Sequence, residues 1–247
     1  MKKMSWITGV LLCAMIVLSA LGSVCNAVWQ IAIDETFYNE QSRAAVKAAM
    51  GYETEEEVTA YIGLTTEEQK NFAEIMSAYI LGEDQSIDLP FYVSTDEVRH
   101  MIDVRGLLWS VRDLGKTCLT LGAVLAVIAA WTSARLKERG KVTTIAVLSG
   151  AAVVELAVMS VTRNLNESGF AHMFAKMHET LFTNDLWLMN PAEDILIRIM
   201  PQQLFEQGML DGANMALRMT LIVMAALLAI YFMVGAMIRR NMKKENA

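Results

Sequence analysis

The chain carries three histidines, His100, His172 and His178, and imidazole is the side chain best suited to proton transfer near neutral pH. Their surroundings separate them. His100 has Asp103 one helical turn away, where a carboxylate either orients the ring or favours its protonated form. His178 stands four residues from both Phe174 and Phe182, on or beside an apolar helix face, with Glu179 next to it. His172 has no such setting, and a packed or exposed residue is the plainer account of it.

Familiar hydrolase templates do not fit. His178-Glu179 begins like a zinc-protease motif, but Phe182 stands where the second histidine belongs. There is no Gly-x-Ser-x-Gly elbow and no Gly-rich phosphate loop. Ser94, Ser110 and Ser168 cannot be tied to a histidine by spacing. A metal site built from His100, His178 and a carboxylate is the least favoured alternative, so no metal and no cofactor is expected. Three cysteines, Cys13, Cys25 and Cys118, cannot make a disulfide framework, and packing is the expected role of each.

The elements that must position these groups are membrane spans. Hydrophobic residues make up 54% of the 247, and charged residues 19%, which excludes disorder and an ordinary soluble globule. Charge is segregated. Residues 29–103 hold 16 acidic side chains against 4 basic ones, and residues 164–214 hold 7 against 2. No basic stripe exists that would hold nucleic acid. Four stretches are long and apolar enough to span about 30 Å of hydrocarbon. The expected division is 5–28 as the first transmembrane helix, 29–106 outside with His100, and 107–135 as the second helix. A basic cytoplasmic loop, 136–141, leads to the third helix, 142–163. An outer segment, 164–214, carries His178, and the fourth helix, 215–238, ends in a cytoplasmic tail, 239–247. Lys2 and Lys3, the cluster from Arg135 to Lys141, and the cluster from Arg239 to Lys244 all belong on the cytoplasmic side. Both termini are then cytoplasmic and both acidic segments extracytoplasmic. Trp6 with Trp29, and Trp109 with Trp131, are spaced as aromatic belts at the two faces. The first span reads as an uncleaved anchor.

The expected fold is all-α: a four-helix transmembrane bundle under a helical extracytoplasmic cap. Thr54-x-x-Glu57, Thr65-x-x-Glu68 and Ser94-x-x-Glu97 are capping boxes that start cap helices, the last running into the second span. Phe170, Phe174, Met177 and Leu181 recur at helical spacing, as in a helix on the bilayer surface. Asn190-Pro191 is expected to open a helix, Pro201 to end or kink it, and Gly208 to stop the next. Three charges fall inside spans. Counted up from the basic collar, Lys116 lies about 28 Å high, Glu155 about 21 Å and Arg218 about 31 Å. They form either a buried ion pair fixing helix register or the polar wall of an outward-facing cavity.

Two stretches together resemble the lipoprotein intramolecular transacylases of Gram-positive bacteria. Asp96-Glu97-Val98-Arg99-His100-Met101-Ile102-Asp103-Val104-Arg105 is similar to that family's E-x-x-H-x-x-D-V-[KR] stretch. The run from Phe174 through His178, Phe182, Trp187, Pro191, Asp194, Leu196, Ile197 and Pro201 to Phe205 follows its second ordered motif. Met177 departs from the aromatic often found there. The resemblance implies a membrane enzyme whose substrate is a bacterial lipoprotein bearing a diacylglyceryl thioether on its N-terminal cysteine. It implies transfer of the acyl chain from the middle glycerol carbon to the cysteine α-amino group, with His100 and His178 as the catalytic pair. Asp103 is then expected to orient His100, Arg105 and Asp194 to meet carboxylate, phosphate or carbonyl groups, and Trp187 to pack against an acyl chain. Membrane lipid is the other expected partner, and the chain is expected to act as a monomer. Which histidine is the base stays open at this level. A non-enzymatic scaffold that docks partners through its acidic cap is the competing account.

Overall fold

The structure, a computed structural model, describes residues 5–135, 150 and 167–245. The expected third span, with Glu155, and the basic loop before it lie outside the described residues. Every regular element among the described residues is helical, so the chain is all-α. In order these are α1 (Ser5–Ala32), a π-helical turn (Phe37–Gln41), α2 (Ser42–Met50), α3 (Glu55–Ile62) and α4 (Thr66–Leu81). They are followed by α5 (Thr95–Arg135), α6 (Glu167–Leu181), α7 (Ile195–Ile199) and α8 (Gln202–Glu245). The described residues fall into two compact units, and α1, α5 and α8 each contribute to both.

One unit takes its described residues from Met1–Ala27, Arg112–Thr162 and Ala213–Ala247. Three described helices are long and apolar enough to cross a membrane: α1 from Trp6, α5 and α8. Their shared core holds Leu12, Met15, Ile16, Ala126, Ala129, Ala130, Met224, Leu227 and Tyr231. Small residues let helices approach closely where lipid supplies no hydrophobic drive. A Cβ on Gly22 would lie 2.7 Å from Leu119 Cγ, and one on Gly115 would lie 2.8 Å from Cys25 Cβ. Inside this unit Tyr231 Oη donates to Ser133 Oγ at 2.9 Å, whereas the buried Ser23 Oγ has no hydrogen-bond partner among the described residues. Cys25 and Cys118 are free thiols, and Cys13 forms no disulfide among the described residues.

Of the three charges expected inside spans, Glu155 lies outside the described residues. Lys116 is exposed and turns back along its own helix, its Nζ 3.9 Å from Asp113 Oδ1. Arg218 is exposed on α8. Neither described member is a buried cation fixing helix register.

The other unit takes its described residues from Val28–Val111 and Arg163–Gly212. All three capping boxes form. Thr54 and Thr65 each accept from the backbone N–H of Glu57 and Glu68, whose carboxylates accept in return. Ser94 and Glu97 do the same at the start of α5. The core joins Phe37, Tyr38, Val46, Val58, Ile62, Phe72 and Met76 to Ile195, Leu196, Ile199 and Leu204. A buried polar tie runs through it. Arg43 donates to Glu55 and Gln69, Gln69 donates to Ser42, and Ser42 donates to the Ile199 carbonyl.

Several boundaries are corrected. Helix α1 runs to Ala32 rather than residue 28, and Trp29 is buried with Ala32, Tyr79 and Ile80 instead of facing a headgroup layer. Trp109 packs on the same cluster and donates its indole N–H to Ile80 O at 2.8 Å. An indole that finds both apolar contact and an acceptor inside the cap has no need of the interface. Gly208 does not stop a helix: α8 runs unbroken from Gln202 through the expected boundary at 215. The residue is buried, and a Cβ there would stand 2.9 Å from Phe37 Cε2, so glycine serves close packing. Asn190-Pro191 opens no helix. The Asn190 side chain accepts from Ala192 N–H in a local turn, and Asp194 is the residue that precedes α7. On α6, Phe170 is buried, whereas Met173, Met177 and Leu181 are exposed, so the expected apolar stripe divides into two rows.

Candidate active site

Helix α5 brings His100 to the cap interior in its second turn, and α6 brings His178 to meet it. The ring centroids are 6.2 Å apart with an interplanar angle of 29°, and each residue is only 8% exposed. Aromatic side chains enclose the pair. Phe182 lies 5.1 Å from His100 and 5.5 Å from His178, Trp187 5.0 Å from His178, and Phe174 4.3 Å from it. Phe205 backs Phe174 at 5.4 Å.

The two imidazoles are not equivalent. His178 Nδ1 lies 2.8 Å from the Phe174 carbonyl oxygen. A carbonyl can only accept, so this contact assigns the hydrogen to Nδ1 and leaves the Nε2 lone pair available. His100 Nδ1 is buried with no hydrogen-bond partner among the described residues. Burial, helped by the neighbouring His178 and opposed by Asp103, pushes the His100 pKa down to about 4. At neutral pH that ring is uncharged and carries one N–H. An uncharged imidazole in a confined site can still donate to a developing oxyanion.

A buried carboxylate joins the segments that carry the two motifs. Glu97, 2% exposed, accepts from Ser94 N–H through Oε2 and from Leu196 N–H through Oε1, both at 2.8 Å. The spacing shows the capping box, but nothing in it reveals that the second oxygen reaches α7.

The expected supporting residues are placed as follows. Asp103 does not bond the His100 ring; its Oδ2 accepts from Asn184 Nδ2 at 2.9 Å. Asn184 also accepts from Leu186 N–H, closing a local turn. Asparagine before a short loop signals such a turn, though not its reach to Asp103. Arg105 meets no carboxylate among the described residues: its guanidinium lies 4.3 Å from the Tyr79 ring centroid and 4.9 Å from that of Trp109. Asp194 Oδ2 accepts from Asn190 N–H at 2.7 Å and its Oδ1 faces Ser94 Oγ at 3.5 Å, so it shapes the loop before α7. Trp187 stands against His178. His172 is exposed and apart from the pair. Among the described residues no group of three or more histidine, cysteine or carboxylate side chains could hold a metal.

Residues 6–205 match the family described as lipoprotein intramolecular transacylase Lit. The chain belongs to that family. It is accordingly a membrane-integral transacylase acting on lipoproteins. Among solved structures, the lipoprotein intramolecular transacylase of Bacillus cereus is similar at 17% identity and a TM-score of 0.64, with both chains covered completely. A variant of that Bacillus cereus protein with a histidine-to-arginine mutation is similar at 16% identity and a TM-score of 0.58, covering 96% of this chain and 95% of the other. At such identities the likeness concerns the fold. No curated protein matches the chain.

Proposed function

We propose that this transacylase moves an acyl chain from the middle glycerol oxygen of a diacylglyceryl lipoprotein to the α-amino group of its N-terminal cysteine, with His178 as base and His100 as oxyanion donor. The observation that carries the proposal is the facing histidine pair, one ring with its lone pair at Nε2 and the other uncharged with an unpaired Nδ1.

The amine nitrogen attacks the ester carbonyl carbon while His178 Nε2 takes its proton. The carbonyl electron pair moves to oxygen, which accepts a hydrogen bond from His100. Collapse then breaks the bond to the glycerol oxygen, and the His178 imidazolium returns the proton to it. Ester and amine become amide and alcohol, with no water consumed and no protein nucleophile. A peptide α-ammonium ordinarily gives up its proton at about pH 7.7–8.0, so freeing the lone pair costs little near neutral pH. Amine and ester belong to one molecule, so holding them together removes much of the entropic barrier. Both histidines come from one chain, consistent with a monomeric enzyme. The basic clusters favour cytoplasmic termini and an extracytoplasmic site.

The test is expression in a host that makes only diacylated lipoproteins, with mass spectrometry of the N-terminal lipopeptides. Wild type yields the N-acylated lyso-form. His178→Ala and His100→Ala slow its formation by about 10²–10⁴-fold each, the range for a positioned acid or base. An unmoved acyl chain with well-expressed wild-type protein rejects the proposal.

A further inference from the structure

We propose that Asp103 is the docking group for the substrate's α-ammonium, the site that recognises a free N-terminal amine before its nitrogen becomes the nucleophile. The inference rests on the transacylase chemistry above and adds to it the residue that selects the acceptor.

Four observations converge. Asp103 follows His100 by one turn of α5, so both occupy one face of the helix. Its Oδ2 accepts from Asn184, which turns the carboxylate toward the loop that supplies Phe182 and Trp187 to the histidine pair. Its Oδ1 has no partner among the described residues. No described cation pairs with Asp103 either: the nearest candidate in sequence, Arg105, is held over the rings of Tyr79 and Trp109. A half-buried carboxylate without a counter-ion favours a cation that arrives from outside.

The neighbouring carboxylates are occupied. Both oxygens of Glu97 accept backbone N–H groups. Asp194 is engaged with Asn190 and Ser94. Glu179 is exposed and pairs with Lys176 at 3.0 Å. Asp185, in the loop before Trp187, is exposed, so among the described residues Asp103 is the half-buried carboxylate that keeps a free oxygen on the helix face of His100. Beside it on the same helix face stands His100, whose buried Nδ1 has no partner among the described residues.

The chemistry gives this contact a direction. The diacylated substrate arrives with a cationic amine, and the N-acylated product has a neutral amide. Acylation therefore removes the charge that Asp103 holds, which weakens product binding and prevents a second acylation of the same nitrogen. A lipoprotein already acylated on nitrogen is excluded for the same reason.

The experiment uses the full-length protein in detergent and two synthetic probes. Both are lipopeptides whose chains are ether-linked and cannot transfer; one has a free N-terminal amine and the other is N-acetylated. Wild type binds the free-amine probe about ten- to hundredfold more tightly, as expected for a hydrogen bond to a charged group. Asp103→Asn keeps an oxygen for the Asn184 amide but loses the charge, and brings the two affinities together. Asp103→Glu restores part of the preference, and thermal midpoints verify that both variants fold. An undiminished preference for the free amine in Asp103→Asn, or no preference in wild type, overturns the proposal. Turnover of the ester-linked substrate is followed separately, so a failure of the transacylase chemistry registers without altering what the ether probes report.

Discussion

Replacing Glu97 with glutamine removes one acceptor oxygen while keeping the side chain's length and shape. The carboxylate is 2% exposed and accepts two backbone N–H groups at 2.8 Å, one at its own helix start and one at Leu196 in α7. Hydrogen bonds to a charged acceptor contribute about 1.5–3 kcal/mol each. Glutamine retains one of the two and turns an NH2 toward the other donor, so it costs about 2 kcal/mol; alanine loses both and costs about 4 kcal/mol. For a chain of this size 1 kcal/mol shifts the thermal midpoint by about 2–4 °C. The glutamine variant should therefore melt about 4–8 °C low and the alanine variant about 8–16 °C low. Thermal unfolding of the detergent-solubilised protein, followed by far-UV circular dichroism, gives the order wild type, Gln, Ala. Glu97 also lies one turn before His100, so transfer by the glutamine variant should fall through kcat more than through KM. A glutamine variant that melts with wild type and keeps its kcat refutes the claim that this carboxylate registers the two motifs.

Three further outcomes are expected. Because folding lowers the His100 pKa to about 4, its contribution to stability is fully present above the unfolded value of about 6.5 and is lost as pH falls toward 4. Thermal midpoints measured from pH 7 to pH 4.5 should fall more for wild type than for His100→Gln. Gly82→Ala meets two penalties, a backbone φ of 90° and a Cβ 2.8 Å from Trp109 Cζ2, whereas Gly51→Ala meets a φ of 68° with nothing within 4 Å. Strain alone costs about 1 kcal/mol and overpacking a further 1–3 kcal/mol, so Gly82→Ala should melt well below Gly51→Ala. For topology, a cysteine at Gln85 should react with an impermeant maleimide added to intact cells, and one at Arg240 only after lysis, in a background lacking the native cysteines.

Local signals were the most legible. The three capping boxes depend on residues three apart, and all three form. Apolar length identified the described spans because the bilayer leaves a helix few alternatives. The histidine pair became visible through ordered motifs, since no spacing rule ties residue 100 to residue 178. Contacts between distant segments stayed hidden for a physical reason: partner choice depends on which groups packing leaves unsatisfied. Asp103 was expected to orient His100, yet the Asn184 amide reaches it first. Arg105 was expected to meet an anion, yet two aromatic faces hold it. Trp29 and Trp109 have belt spacing, but burial in the cap offers each a better environment than the interface. Gly208 carries a stop signal that close packing against Phe37 overrides.

Helix α5 is 41 residues long without interruption, about 60 Å of rod with His100 in its second turn. Free of proline over its whole length, that rod offers no hinge, so a push at one end reaches the other without loss at a bend.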